Sequence, residues 1–137
     1  LMFKFSSTTS FKLPFKESVS LWLLGVINKE EKALKEIAFT FCNDQELLKV
    51  NQEFLSHDNL TDVITFDYSD SSGIIGEVLI SIDRVQDNAQ DFNQSFDVEL
   101  RRVMVHGTLH LCGYNDKSAD EKLLMTKKED FYLSRYV

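Results

Sequence analysis

The residues of this chain best suited to chemistry lie between Val103 and Asp116, in the run V-M-V-H-G-T-L-H-L-C-G-Y-N-D. His106 and His110 stand four apart, which puts two imidazoles on one face of a helix, close enough to share a small ion. Gly113 can take the left-handed conformation that ends a helix and turns the chain back, so the Asp116 carboxylate can close a three-ligand site. Two imidazoles, a carboxylate and an open fourth position suit zinc, one Zn2+ per chain. An ion held this way keeps room for a water whose pKa falls toward about 7, which makes hydrolysis the expected reaction. On this reading His106, His110 and Asp116 bind the metal, and His106 and His110 act catalytically through that water. The spacing assigns no general base. A structural zinc site would use a fourth protein ligand, usually Cys, and none is suitably spaced.

Histidines on an apolar helix more often just bond a carbonyl, so the context has to carry the assignment. Both sit mid-run in a stretch that is otherwise nearly all apolar, where an unpaired polar group costs about 1–3 kcal/mol. Gly107 between them costs about 1 kcal/mol against Ala in a helix, which close packing or close approach would offset. Gly107 also excludes one class. Metalloproteases with a similar H-x-x-x-H-x-x-G spacing carry a Glu directly after the first His as general base. Without that base a peptidase reading falls behind.

Around this stretch the pattern predicts one α+β domain spanning residues 1–137, with about five helices and the metal site on a buried helix and the following turn. Met2–Ser6 alternates like a short strand. Val19, Trp22, Leu23 and Val26 mark one face of a helix. Lys29–Lys35 is a charge cluster of the kind found at a solvated helix end. Strands are expected at Ile37–Cys42, Asp62–Tyr68 and Glu77–Ile82, with the polar turn Ser69–Gly73 making the last two antiparallel. Asn43 and Ser118 begin capping boxes, with Leu47, Leu48 and Leu55 facing inward after the first and Leu124, Met125, Phe131 and Tyr132 after the second. Asp83 with Gln86 reads as a further box, its helix facing Val85, Ala89 and Phe92 inward. Ser95 or Asp97 starts the motif helix, whose apolar residues cover most of its circumference.

A formal net charge of −7 does not suggest a nucleic-acid partner. The charge is uneven, since residues 1–37 hold six Lys against four Glu. No apolar run reaches bilayer length and no secretory signal pattern is present, so the chain reads as cytoplasmic without a membrane partner. Cys42 and Cys112 read as buried free thiols rather than a disulfide framework.

The run His106–Asp116 resembles the H-G-x-L-H-L-x-G-Y-D-H signature of the YbeY family, metal-dependent endoribonucleases of ribosomal RNA maturation. Thr61-Asp62-Val63-Ile64-Thr65-Phe66 resembles that family's T-D-V-L-S-F strand, and Gly76–Ser81 its G-D-I-x-I-S, with Asn51 ten residues before Thr61. The resemblance implies a four-stranded mixed sheet, a zinc ion, and hydrolysis of single-stranded RNA during small-subunit rRNA processing and ribosome maturation. Its expected partners are ribosomal RNA and the small subunit or its assembly factors. Asp62 and Thr65 fall on the strand that the family places near the metal cleft. His57, in the preceding loop, could meet phosphate or transfer a proton, and Arg102, one turn before His106, could face substrate. His57, Asp62, Thr65 and Arg102 are therefore the candidate substrate-binding residues, against blander readings as an exposed loop His, a strand residue bonding backbone, and an Arg solvating its helix. Two positions depart from the family pattern. Asp116 stands at its third His and brings a charge that lowers the ion's Lewis acidity. Leu55 stands where the family often has an Arg, removing a phosphate contact. That loss and the acidic charge motivate an alternative function: a ribosome-assembly factor binding RNA or protein through a mainly structural metal site.

Overall fold

A computed structural model describes residues 2–136 of the chain. Among them the elements run β1 (Phe3–Ser7), α1 (Lys16–Lys29), β2 (Leu34–Cys42), α2 (Asp44–Leu55), β3 (Val63–Asp67), β4 (Ile74–Ser81), α3 (Ile82–Asp91), α4 (Phe96–Leu111) and α5 (Ala119–Leu133). The sheet order is β1-β2-β4-β3, with β2 parallel to both β1 and β4, and β3 antiparallel to β4. This is the mixed four-stranded α+β sheet expected. It leaves β3 as an edge strand.

Alternation along the strands divides the interior in two. Ile37, Phe39, Phe41, Val78 and Ile80 point to the face covered by α1 and α4 and join the main core with Leu23, Ile27, Met104 and Leu109. Cys42 and Ile64 point the other way and meet Leu47 of α2 in a smaller cluster. The α1 face Val19, Trp22, Leu23 and Val26 is buried as its spacing predicts. Strand β4 begins three residues before Glu77, because pairing on both edges makes the whole apolar run Ile74–Ser81 strand.

Helix starts follow local chemistry, with one correction. Both capping boxes form: Asn43 accepts from the Glu46 N–H and Ser118 from the Glu121 N–H, and each Glu side chain reaches back to its cap. Ser95 caps α4, accepting from the Val98 N–H. Asp83, however, does not cap α3. The strand β4 runs into α3 without a loop, so Ser81 takes the cap position and accepts from the Arg84 N–H. Asp83 sits within the first turn and accepts from the Asp44 N–H at 3.0 Å, tying α3 to the start of α2. Four inward assignments also change. Leu55 is 41% exposed, Phe92 lies at the α3 C-cap and is 63% exposed, and on α5 the buried residues are Met125, Glu129 and Tyr132 while Leu124 and Phe131 face solvent.

Helix α4 is the piece that positions the site. Leu100, Val103, Met104, Val105, Thr108, Leu109 and Leu111 are buried against the sheet, α3 and α5. Close packing explains Gly107. A Cβ there would stand 2.7 Å from Val78 Cγ1 on β4 and 3.3 Å from Thr65 Oγ1 on β3, so the bare backbone lets α4 lie directly on the strands. The gain in helix propensity from Gly107→Ala is about 1 kcal/mol, against about 1–3 kcal/mol for forcing a methyl into a packed interior. Gly107→Ala is therefore expected to lower the unfolding free energy by up to about 2 kcal/mol in a urea titration. The added change Val78→Ala should remove most of that Gly107→Ala penalty, and a pair that merely adds its two losses would show the contact to be slack.

Candidate metal centre

The three residues singled out by spacing converge. His106 Nε2 and His110 Nε2 lie 3.0 Å apart, with Asp116 Oδ2 3.2 Å from the first and 3.5 Å from the second. Each side chain is half-buried, with one side open to a cleft. The far ring nitrogens fix the tautomers. His110 Nδ1 lies 2.8 Å from the Tyr114 carbonyl oxygen, which can only accept, so this nitrogen carries the hydrogen. His106 Nδ1 lies 2.6 Å from Glu129 Oε2 and donates to that carboxylate. Both neutral rings thus aim Nε2 lone pairs at each other and at a carboxylate oxygen, an arrangement that needs a cation or a proton between them.

The donor set fits an ion. Zinc bonds of about 2.0–2.1 Å in tetrahedral directions hold neighbouring donors about 3.3 Å apart, and the three separations here bracket that figure. Two imidazoles with one carboxylate is also a zinc-like donor chemistry. A proton is the competing occupant. Burial pulls the His106 pKa down, but the hydrogen bond to Glu129 and the charges of Glu129, Asp116 and Asp62 outweigh it and raise the pKa above the usual histidine value.

Glu129 had no place among the candidates, yet it is the neighbour closest to His106. It is 7% exposed, donates nothing, and also accepts from Arg102 Nη1 at 2.9 Å. A signal was present: Met125, Glu129 and Tyr132 follow i, i+4, i+7 spacing, so an acid interrupts the buried face of α5.

The candidate substrate-binding residues divide. A cleft of about 460 Å³ runs along β3 and is lined by His57, Asp62 and Thr65 together with His106, His110 and Asp116. Asp62 is half-buried, and desolvation, partly offset by the nearby His106, raises its pKa. The Thr65 hydroxyl is buried in the cleft wall with no hydrogen-bond partner among the described residues. Leu55 lines the same cleft. Arg102 instead lines an adjoining recess, where Glu129 and Asp130 occupy its guanidinium. Its neighbour Arg101 lies 4.2 Å from the Tyr136 ring centroid. Asn51 anchors the loop above the cleft, donating to the Asn59 carbonyl at 2.9 Å. Cys42 and Cys112 are buried free thiols, as expected, and burial pushes both pKa values up to about 11, so neither is a ready thiolate ligand.

These features define an α+β protein with a candidate single-ion site between a buried helix and the turn that follows it. A family model described as Endoribonuclease YbeY matches residues 5–137. An Endoribonuclease YbeY from Flavobacterium johnsoniae is 49% identical over 129 residues, covering 94% of this chain and 93% of that protein. One from Cytophaga hutchinsonii is 45% identical over 134 residues, covering 97% and 94%. A solution structure of a protein from Thermotoga maritima superposes with a TM-score of 0.63 at 25% identity, covering 98% of this chain and 88% of that one. The chain belongs to the YbeY endoribonuclease family.

The geometry sets expectations for metal binding. Purified protein should take up one zinc ion, and His110→Ala or Asp116→Ala should lose stoichiometric retention after gel filtration, read by elemental analysis. Glu129→Gln keeps an acceptor for His106 but removes the charge, and should weaken zinc binding about 10- to 100-fold. Wild-type affinity in that variant would remove Glu129 from the site.

Proposed function

We propose that this protein is a zinc-dependent, single-strand-specific endoribonuclease of the cytoplasm, acting in small-subunit ribosomal RNA processing and ribosome maturation, with RNA and the small subunit or its assembly factors as partners. The observation that carries the reading is the pair of tautomer-locked Nε2 lone pairs converging with Asp116 at the wall of an open cleft, in a chain whose relatives are named endoribonucleases. No helix among the described residues is long and apolar enough to cross a membrane.

His106, His110 and Asp116 would hold the ion. Bound there, zinc supplies Lewis-acid polarisation of a phosphoryl oxygen and lowers the pKa of water toward about 7. The protein's own part is to position and to balance charge. Glu129 and the Tyr114 carbonyl keep the two rings in the donor-ready tautomer. The cleft lining includes three carboxylates, Asp62, Asp67 and Asp116, against one lysine, Lys117. That excess repels a phosphate backbone, and a divalent cation offsets it. Metal loading is therefore a condition for RNA to enter as well as for its cleavage. His57, which lines the cleft, offers a polar group to a strand lying in it.

Leu55 at the cleft favours the second reading, a binding factor with a mainly structural ion, because it offers phosphate no charge. A labelled single-stranded RNA assay separates the two. Zinc-loaded protein is expected to cleave it, with cleavage lost on chelation and in His110→Ala purified identically as the control for contaminating nucleases. In a filter-binding measurement, chelation should also weaken RNA retention at least several-fold. Binding that persists unchanged without metal, with no cleavage by loaded protein, would favour the assembly-factor role and overturn the enzymatic one.

A further inference from the structure

The charge cluster Lys29–Lys35 reads in sequence as a solvated helix end, yet the side chain of one of its acids is largely enclosed. Glu30 is the C-cap residue of α1, and its side chain is 9% exposed. Both carboxylate oxygens are taken. Oε1 accepts from the Tyr114 hydroxyl at 2.5 Å, while Oε2 accepts from the Tyr132 hydroxyl and from Lys128 Nζ, the latter at 3.2 Å. A carboxylate enclosed this way is tolerable only when its acceptor capacity is filled. The donors come from α5 and from the turn after α4.

That turn is where the network meets the candidate metal centre. Tyr114 contributes the carbonyl that accepts from His110 Nδ1. It follows Gly113, whose φ of 108° makes the turn and whose missing side chain can anchor nothing. The direction of the Tyr114 carbonyl is therefore held by two contacts of Tyr114 itself: its N–H to the Leu109 carbonyl at 3.1 Å and its hydroxyl to Glu30. Lys128, 5.4 Å from the Tyr114 ring centroid, packs over the same side chain.

We propose that Glu30 is a positioning residue of the metal centre, acting through Tyr114 to orient the His110 ring as Glu129 orients His106. Helices α1 and α5 then each place one largely enclosed carboxylate behind one histidine of α4. The inference rests on His106, His110 and Asp116 being the ion site, and it adds a residue more than seventy positions away in sequence. A merely structural Glu30 would join α1 to α5 and leave the ion untouched.

Zinc affinity by chelator competition, and the visible spectrum of the cobalt(II)-substituted protein, tell the two apart. Tyr114→Phe and Glu30→Gln are each expected to weaken zinc roughly 10-fold and to shift the cobalt bands. The double variant should be no weaker than the worse single, because both changes break one link. Val19→Ala, a core truncation in the first turn of α1 away from this network, should lower thermal stability while leaving both readouts at wild-type values. If Glu30→Gln does not fold, Tyr114→Phe decides alone, since Lys128 and Tyr132 still pair Glu30 in it. Folded single variants with wild-type zinc affinity and spectrum would overturn the proposal, as would losses that multiply in the double variant. Wild-type protein that takes up no zinc would overturn the ion-site reading beneath it.

Discussion

Everything at this centre depends on where each imidazole keeps its proton. A neutral imidazole has one hydrogen for two nitrogens, and fixing it on Nδ1 is what makes Nε2 a lone-pair donor. Helix α4 does not do this for itself. The two acceptors come from outside it: Glu129 on α5 and the Tyr114 carbonyl in the turn. Were either ring free to turn, the 3.0 Å approach of the Nε2 atoms would relax into an ordinary N–H···N hydrogen bond. The helix pattern and the sheet topology serve to hold these two acceptors at their stations.

Holding them requires charge inside the fold. Glu129 is buried against Arg102 and His106, and the Glu30 side chain is enclosed by two tyrosines and a lysine. Burial works against the Glu30 charge, but its donors outweigh burial and keep the carboxyl below the usual range, so it stays an acceptor. Replacing such networks with apolar residues is often neutral or stabilising in general. Retaining ion networks beside a donor cluster therefore argues for directional positioning over stability. Pure apolar packing could bury α1 and α5 equally well, but it could not say which way a ring nitrogen points.

The sequence carried the local features and hid the distant ones. Periods of two and 3.6, two capping boxes and the antiparallel turn after β3 are encoded within a few residues, and they formed. So did the cluster of His106, His110 and Asp116, since i, i+4 and a following glycine turn fix it locally. Where a neighbouring element competes, single-segment reading fails. Asp83 looked like a cap until β4 ran straight into α3 and gave the position to Ser81. The ion pairs of Arg102 with Glu129 and Asp130 come from α5, which its own segment does not announce. Glu30 looked solvated because nothing near it in sequence announces two tyrosines from the far end of the chain. A polar residue on a buried helix face shows only that a partner is required, and the tertiary fold names the partner.

Gly107 and Asp116 together shape what chemistry the cleft can support. Gly107 occupies the position where related helix spacings carry a catalytic glutamate, and the close contact with Val78 and Thr65 penalises a side chain there. The absence of that base thus goes with the close seating of α4 on the sheet. Any proton acceptor has to come from the cleft walls, away from the helix. Asp116 works on the charge. A carboxylate beside two neutral imidazoles leaves a divalent ion one unit less positive than three imidazoles would, and Asp62 and Asp67 reduce the local potential further. Lys117, adjacent to Asp116, lines the same cleft and adds one positive charge to it. An ion held by Asp116 with His106 and His110 would thus carry less positive charge than one held by three imidazoles.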